Sequence, residues 1–207
     1  MISSPFIKVC GQTHAGTVDA SLAMGARYVG FIFHEGSPRS ITPERAAAIP
    51  TGTAVRVGVF VRQGVQEILR AVQIARLHLV QLHGRQSMED ADAIGAQRVI
   101  RVLWPQQYAG VGELQATLDA WDPHCAMYLL DAGESPCCGG TGKTLNADSL
   151  THLRFPHPWI LAGGLNAKNI PQLVSICHPD GIDLNSGVEI APGLKDPLKL
   201  LAAVRAL

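Results

Sequence analysis

Short aliphatic runs alternate with longer segments of helical periodicity along the whole chain. This alternation predicts βα units around a parallel sheet, because hairpins would place one strand directly after another. The predicted strands cover residues 6–10, 28–33, 54–61, 77–82, 98–103, 127–131, 159–162 and 181–184. The predicted helices cover residues 18–24, 43–49, 65–75, 88–94, 112–121, 167–177 and 197–207. Thr42 and Asn166 are the predicted N-caps of two of these helices.

The number of strands decides the fold class. Eight strands without a composition shift or a linker favour a closed barrel over an open doubly wound sheet, which would carry a G-x-G-x-x-G loop after its first strand. The loop at that place is Cys10-Gly11-Gln12-Thr13. The sequence therefore predicts a single (β/α)8 TIM-barrel domain over residues 1–207, which is short for a fold that typically needs about 250 residues.

Composition and charge narrow the class of protein. Apolar residues make up 47% of the chain and charged residues 16%, which is typical of a globular domain. The 17 basic and 17 acidic side chains cancel, so neither nucleic acid nor an anionic membrane is an expected partner. The cysteines are odd in number and lack C-x-x-C spacing, and the chain shows no signal peptide or membrane-length apolar run. These features indicate a cytoplasmic protein without a disulfide scaffold.

Three glycine-rich segments, at residues 139–142, 163–164 and 186–187, follow the last three predicted strands. All three would open on one rim of the barrel, where phosphate commonly binds over the loops after strands seven and eight. Glycine lets backbone amides approach an anion because it has no Cβ, and a short helix beginning near Gly187 would aim further amides at it. Tight turns alone would explain any one segment. The predicted phosphate-binding residues are Gly142, Gly163, Gly164, Ser186 and Gly187.

Two reactive side chains end predicted strands at the same rim, Cys10 on strand one and Asp131 on strand six. They are a candidate base and acid, although Cys10 could be an inert buried thiol and Asp131 could cap the following loop. Lys8 shares a strand face with Cys10, and its charge would favour the thiolate. Because an isolated buried charge is costly, Lys8 is expected to pair with an acid such as Asp183. That pair could also be purely structural.

Polar residues after strands two and four are candidates for contacts to a substrate. Arg39 is suited to bind a carboxylate bidentately, or it could be a solvated loop charge. His83 could donate to a substrate oxygen or make a structural hydrogen bond. Together with Asp183 they form the predicted substrate-binding set. Cys137 and Cys138 have no histidine at ligand spacing, so no metal site is predicted.

Short motifs in a fixed order resemble one family along nearly the whole chain. They are Lys8-Val9-Cys10-Gly11, Gly30-Phe31-Ile32-Phe33, Ser37-Pro38-Arg39, Val57-Gly58-Val59-Phe60, Gln81-Leu82-His83-Gly84, Leu129-Leu130-Asp131, Gly139-Gly140-Thr141-Gly142-Lys143-Thr144, Leu161-Ala162-Gly163-Gly164-Leu165-Asn166, Ser186-Gly187-Val188-Glu189 and Pro192-Gly193-Leu194-Lys195-Asp196. This ordered set is similar to that of the phosphoribosylanthranilate isomerases of tryptophan biosynthesis.

The resemblance implies an Amadori rearrangement that converts N-(5-phosphoribosyl)anthranilate into 1-(2-carboxyphenylamino)-1-deoxyribulose 5-phosphate. It implies that Asp131 is the general acid that protonates the ribose ring oxygen, and that Cys10 is the general base that removes the proton from C2. Arg39 would hold the anthranilate carboxylate, and no metal or organic cofactor would be needed. The expected partner is this phosphorylated small molecule, bound by a monomer or homodimer. Asn185 stands where the family is expected to have serine, which affects a side-chain contact to phosphate but leaves the backbone amides intact.

Three other functions are alternatives to this one. The histidine-pathway isomerase performs the same rearrangement on a larger substrate and resembles this family in fold. It uses an aspartate as the base on strand one, and this chain has Cys10 at that place. A barrel aldolase would need a Schiff-base lysine near the end of strand six, and Asp131 occupies that place. A phosphate sensor without catalysis would keep the glycine loops, but the joint presence of Cys10 and Asp131 speaks against it.

Overall fold

The computed structural model describes residues 4–132 and 150–207, and it shows eight parallel strands closed into a barrel in chain order. The strands are β1 (Phe6–Val9), β2 (Ala26–Ile32), β3 (Val55–Phe60), β4 (Leu79–Leu82), β5 (Val99–Leu103), β6 (Met127–Asp131), β7 (Trp159–Ala162) and β8 (Gly181–Leu184). Strand β8 pairs with β1 and so closes the sheet on itself. The predicted (β/α)8 TIM barrel is confirmed.

Helices connect the strands on the outside of the barrel. In the described part of the chain they are α1 (Ala15–Ala23), α2 (Pro43–Ala47), α3 (Val65–Ala75), α4 (Met88–Ile94), α5 (Val111–Trp121), α6 (Ile170–Cys177) and α7 (Pro197–Arg205). After β8 the chain makes one 3-10 turn, Ser186–Val188, and then an antiparallel hairpin of β9 (Glu189–Ala191) and β10 (Leu194–Lys195). None of the helices within residues 4–132 and 150–207 has the length and apolar character needed to cross a membrane.

Local chemistry explains where several elements begin and end. The predicted N-cap Thr42 is confirmed, since its side chain accepts from the backbone N–H of Arg45. The predicted N-cap Asn166 is wrong: its side chain accepts from the N–H of Lys168 in a turn, and α6 begins only at Ile170. The fourth strand is shorter than predicted because Leu77 donates back to the carbonyl of Val72 and so belongs to the end of α3.

Apolar side chains form three clusters, and the two larger ones are separate layers of the core. The larger layer lies between the barrel and its helices. The inner cluster fills the barrel and consists of Tyr28, Val57, Ile100, Val102, Leu129, Ile160 and Ala162. Above it, towards the carboxyl ends of the strands, only Cys10, Ile32 and Val59 make up a third small cluster among the described residues. The apolar filling therefore thins out at the end of the barrel where the reactive side chains lie.

Candidate active site

A cavity of about 340 Å³ opens at the carboxyl ends of the barrel strands. Its lining includes the predicted site residues Cys10, His83, Asp131, Gly163, Gly164, Asp183 and Ser186, and also Gln81 and Asn185. Arg39 and Gly187 lie beside the lining residues but not among them. Gly142, with the rest of its glycine segment and the Cys137-Cys138 pair, lies outside the described residues. The barrel thus brings most of the predicted set to one place.

Lys8 and Asp183 form an ion pair in the interior of the barrel, as the sequence predicted. The Lys8 ammonium donates to Oδ2 of Asp183 over 2.7 Å, and Lys8 has no exposed surface. Burial alone would lower the pKa of Lys8, but the charges of Asp183 and Cys10 raise it, so this lysine is a permanent cation. The second carboxylate oxygen of Asp183, Oδ1, is buried and has no hydrogen-bond partner among the described residues.

The thiol of Cys10 lies next to this cation, and 3% of the residue is exposed. Burial raises the pKa of the Cys10 thiol, and the hydrogen bond and charge of Lys8 oppose part of that rise. The resting form is therefore the thiol, with a cation beside it that stabilises the thiolate. The absence of a side chain at Gly30 makes room for the sulfur, because a Cβ there would lie 2.7 Å from Sγ.

Asp131 ends β6 on the cavity wall and faces a histidine. Nε2 of His83 lies 3.8 Å from Oδ2 of Asp131, and the other ring nitrogen, Nδ1, lies 3.1 Å from the amide nitrogen of Gln81. Trp104 contacts the imidazole edge to face, with 5.2 Å between ring centroids. Burial and the positive charges of Lys8 and Arg101 outweigh Asp183 and lower the pKa of His83 to about 4. A neutral imidazole therefore stands beside Asp131 at neutral pH.

The two described glycine loops contact each other at the rim. Gly163 and Gly164 have φ angles of 108° and 65°, a region that favours glycine over other residues. A side chain at Gly187 would collide with the carbonyl oxygen of Leu165, so the loop after β8 packs directly on the loop after β7. The short helix expected near Gly187 is a single 3-10 turn that begins at Ser186.

Arg39 is engaged by a carboxylate of the protein. Its Nε and Nη2 donate to both oxygens of Glu189 over 2.7–3.0 Å. Glu189 also accepts from the ammonium of buried Lys195 over 2.7 Å, and Lys195 in turn donates to Oδ1 of Asn185 over 2.7 Å. Within residues 4–132 and 150–207, Nη1 of Arg39 has no acceptor. A chain of charged side chains thus joins the loop after β2 to the loop after β8.

Comparison with known proteins agrees with this geometry. Residues 7–206 match the family model for N-(5'-phosphoribosyl)anthranilate (PRA) isomerase. An N-(5'-phosphoribosyl)anthranilate isomerase from Desulfovibrio desulfuricans is 50% identical over 198 residues, which cover 96% of this chain and 93% of the relative. The chain belongs to the phosphoribosylanthranilate isomerase family. A member from Maridesulfovibrio salexigens is 42% identical, with 99% of this chain and 98% of the relative covered.

Solved structures of the phosphoribosylanthranilate isomerase family share the fold. The Thermotoga maritima enzyme superimposes with a TM-score of 0.85 at 30% identity, over 98% of both chains. A second crystal structure, of a phosphoribosyl anthranilate isomerase in complex with reduced 1-(o-carboxyphenylamino)-1-deoxyribulose 5-phosphate, gives a TM-score of 0.79 at 27% identity, over 98% of both chains. The family therefore includes a barrel of this shape with this reduced 5-phosphate compound bound.

Three polar residues near the cavity of this isomerase-family chain were not predicted from the sequence. Gln81 precedes His83 by two positions on the same strand face, a spacing that could have drawn attention to it. Glu189 and Lys195 occur in the motifs shared with the family, but neither has a predicted role. Their pairing depends on the bend of the β9–β10 hairpin, which period-two alternation does not predict.

Stability should depend on pH through His83. The unfolded histidine has a pKa of about 6.5 and the folded one of about 4, so the unfolded chain binds more protons between these values. The stability present above pH 6.5 is therefore lost as pH falls towards 4, by about 2–3 kcal/mol at pH 4.5 relative to pH 7.5. Denaturant unfolding of wild type and His83→Gln at both pH values measures it, and equal pH slopes would contradict the assignment.

Glu189 should be a large contributor to stability, because it pairs with two cations. Glu189→Gln removes the negative charge beside buried Lys195 and should lower the free energy of unfolding by about 3–5 kcal/mol. Glu35→Gln, at an exposed carboxylate, is the matched control and should change it by less than about 0.5 kcal/mol. Urea denaturation gives both values, and a similar small effect for the two variants would be inconsistent with the role of the network.

Proposed function

We propose that this chain catalyses the Amadori rearrangement of N-(5-phosphoribosyl)anthranilate to 1-(2-carboxyphenylamino)-1-deoxyribulose 5-phosphate, with Cys10 as general base and Asp131 as general acid. The observation that carries the proposal is the pair of environments in one cavity. Cys10 lies beside a buried cation, and Asp131 lies beside a neutral imidazole. The names of the relatives and the aminosugar phosphate bound to one of them support the same reaction.

The substrate would be held from both sides of the cavity. The phosphate would bind the backbone amides of Gly163, Gly164, Ser186 and Gly187, together with Gly142. Asp183 lines the cavity with an unpartnered buried oxygen, which is suited to accept from a sugar hydroxyl. His83 lies beside Asp131 on the cavity wall and would contact the sugar there. Arg39 would bind the anthranilate carboxylate through Nη1, while Glu189 holds the opposite side of the guanidinium.

The acid step opens the sugar ring. Asp131 donates its proton to the ring oxygen as the bond from that oxygen to C1 breaks. The electron pair on the anthranilate nitrogen forms the new C=N bond, so the product is a protonated imine and Asp131 becomes a carboxylate. Positioning and matched proton transfer are sufficient for this chemistry, because the imine is its own electron sink.

The base step uses the charge that the acid step creates. Burial keeps Cys10 as a thiol at rest, but the protonated imine adds a second positive charge to that of Lys8 and favours the thiolate. The thiolate takes the proton from C2 and the electrons of that bond neutralise the imine, which gives an enolamine. Tautomerisation to the ketone moves the hydroxyl proton of the enol to C1. Cys10 is a thiol again once it has taken the C2 proton. The proton that its thiol gave up to solvent before this step is balanced by the one that Asp131 regains from solvent.

The mechanism requires neither a metal nor an organic cofactor. We further propose that residues 1–207 form one catalytic domain, which agrees with a family match over residues 7–206. Location in the cytoplasm, a monomeric or homodimeric state and the lack of nucleic-acid partners stay predictions.

Asp131→Asn should bind substrate and lose turnover by about 10²- to 10⁴-fold, because an amide cannot donate the carboxylic proton. Steady-state assays of the purified chain with phosphoribosylanthranilate, beside the histidine-pathway substrate, measure this and test the function itself. Asp19→Asn, at an exposed aspartate on α1, is the control and should match wild type. Undiminished turnover by Asp131→Asn would refute the acid role, and turnover of the histidine-pathway substrate alone would refute the assignment.

Cys10→Ser should cause a comparable loss, because a serine hydroxyl is a far weaker base than a thiolate. Cys125→Ser is the matched control: Cys125 is also buried, but it donates to the carbonyl of Trp121 away from the cavity. Single-turnover rates with phosphoribosylanthranilate distinguish the two variants. If both cysteine variants turned over equally fast, a thiolate base at Cys10 would be ruled out.

A further inference from the structure

The contact between Gln81 and His83 determines which ring nitrogen of the histidine carries its proton. Gln81 lies on β4 and His83 directly follows this strand, where its N–H donates to the carbonyl of Phe60. At positions two apart, the two side chains share one face. The amide nitrogen of Gln81 lies 3.1 Å from Nδ1. An amide NH2 only donates, so Nδ1 must accept, and a neutral ring then carries its hydrogen on Nε2.

The opposite orientation of the Gln81 amide is less favourable. Gln81 is 2% exposed, and its Oε1 is a buried atom without a partner among the described residues. If the amide were reversed, Oε1 would accept from Nδ1–H. The NH2 group would then lie at the buried position without a partner, and both of its hydrogens would be unpaired. The reversed amide leaves two N–H groups unpaired, whereas the present one leaves one N–H group and the oxygen unpaired within the described part of the chain. Unpaired buried N–H groups are rarer in proteins than unpaired carbonyl oxygens. The orientation in the structure is therefore the better satisfied one.

We propose that Gln81 is a positioning residue of the reaction, which holds His83 as the Nε2–H tautomer so that this hydrogen faces the carboxylate of Asp131. The inference rests on the proposed acid role of Asp131. The separation of 3.8 Å between Nε2 and Oδ2 is too long for a hydrogen bond at rest. A shift of about 1 Å brings it within range when Asp131 has become a carboxylate.

The direction of this hydrogen matters because Asp131 changes charge during the reaction. Nε2–H stabilises the carboxylate that remains after the proton has left, and so it favours proton transfer. The other tautomer would present a lone pair, which repels the carboxylate and stabilises the protonated acid instead. Trp104 contacts the ring edge to face and keeps its plane in this orientation.

Gln81→Glu inverts the contact and tests the proposal. An ionised Glu at position 81 only accepts, so Nδ1 must become a donor, and a neutral ring would then turn its lone pair at Nε2 towards Asp131. We expect kcat to fall by about 10- to 100-fold, with KM little changed. Losses of this size are typical when a residue that hydrogen-bonds a site histidine and fixes its tautomer is replaced. Gln81→Met removes the donor without adding a charge and should reduce kcat less, which keeps the test open if Gln81→Glu does not fold.

The tautomer itself is measured by long-range ¹H–¹⁵N correlation spectra of the uniformly labelled full chain at pH 8. Wild-type His83 should show Nε2–H and a non-protonated Nδ1, and Gln81→Glu should protonate Nδ1. His78 is an internal control, because its Nδ1 accepts from the backbone N–H of Arg56 over 2.9 Å and is independent of Gln81. A wild-type His83 protonated at Nδ1 would overturn the proposal.

A rescue variant separates positioning from folding. His83→Gln keeps a donor near the place of Nε2 but has no tautomer to invert. Turnover by the double variant Gln81→Glu/His83→Gln should therefore exceed that of Gln81→Glu alone. An inverted tautomer with unchanged kcat, or a double variant no faster than Gln81→Glu, would overturn the positioning role while Asp131→Asn remained inactive. An active Asp131→Asn would instead refute the acid role on which the proposal rests.

Discussion

The ion pair between Lys8 and Asp183 joins the first and last strands where the barrel closes. The two residues are register partners in the β1–β8 ladder, and their side chains meet in the barrel interior at 2.7 Å. Two buried charges are costly to desolvate, and removal of either partner would leave the other uncompensated at a cost of about 3–5 kcal/mol. The pair therefore constrains how the barrel closes between β1 and β8. Apolar residues of the same volume would pack there but would not provide the charge.

The same cation acts on groups at both sides of the cavity. Burial is the larger influence on both groups, since it keeps Cys10 as the thiol and His83 as the neutral ring. The positive charge of Lys8 favours the thiolate of Cys10 and lowers the pKa of His83 further. This charge thus stabilises the anionic form of the base, and together with burial it gives Asp131 a neutral neighbour. A protonated His83 would hold Asp131 as a carboxylate before the reaction, and Asp131 would then have no proton to donate. The position of the Lys8 ammonium therefore agrees with a base at Cys10 on one side of the cavity and an acid at Asp131 on the other.

Regular structure explains why part of the site could be predicted from the sequence. In a parallel barrel the carboxyl ends of strands meet at one rim, so Cys10 and Asp131 could be placed together from their positions alone. Alternation likewise placed Lys8 and Asp183 inside the barrel. Glu189 lies beyond β8, where the hairpin turns the chain and no period relates it to Arg39. The predicted cap at Asn166 failed for the same reason, because its loop turns locally before the helix begins.

The charged network after β8 changes how the departure at Asn185 is understood. Its Oδ1 is bound to the ammonium of Lys195, which is also bound to Glu189. Glu189 in turn holds two nitrogens of Arg39. An asparagine side chain reaches further than a serine hydroxyl, so the oxygen at this position is directed to the network and the backbone amides remain for an anion. A change at Asn185 would therefore act on Arg39, through two ion-paired side chains, before it acted on phosphate.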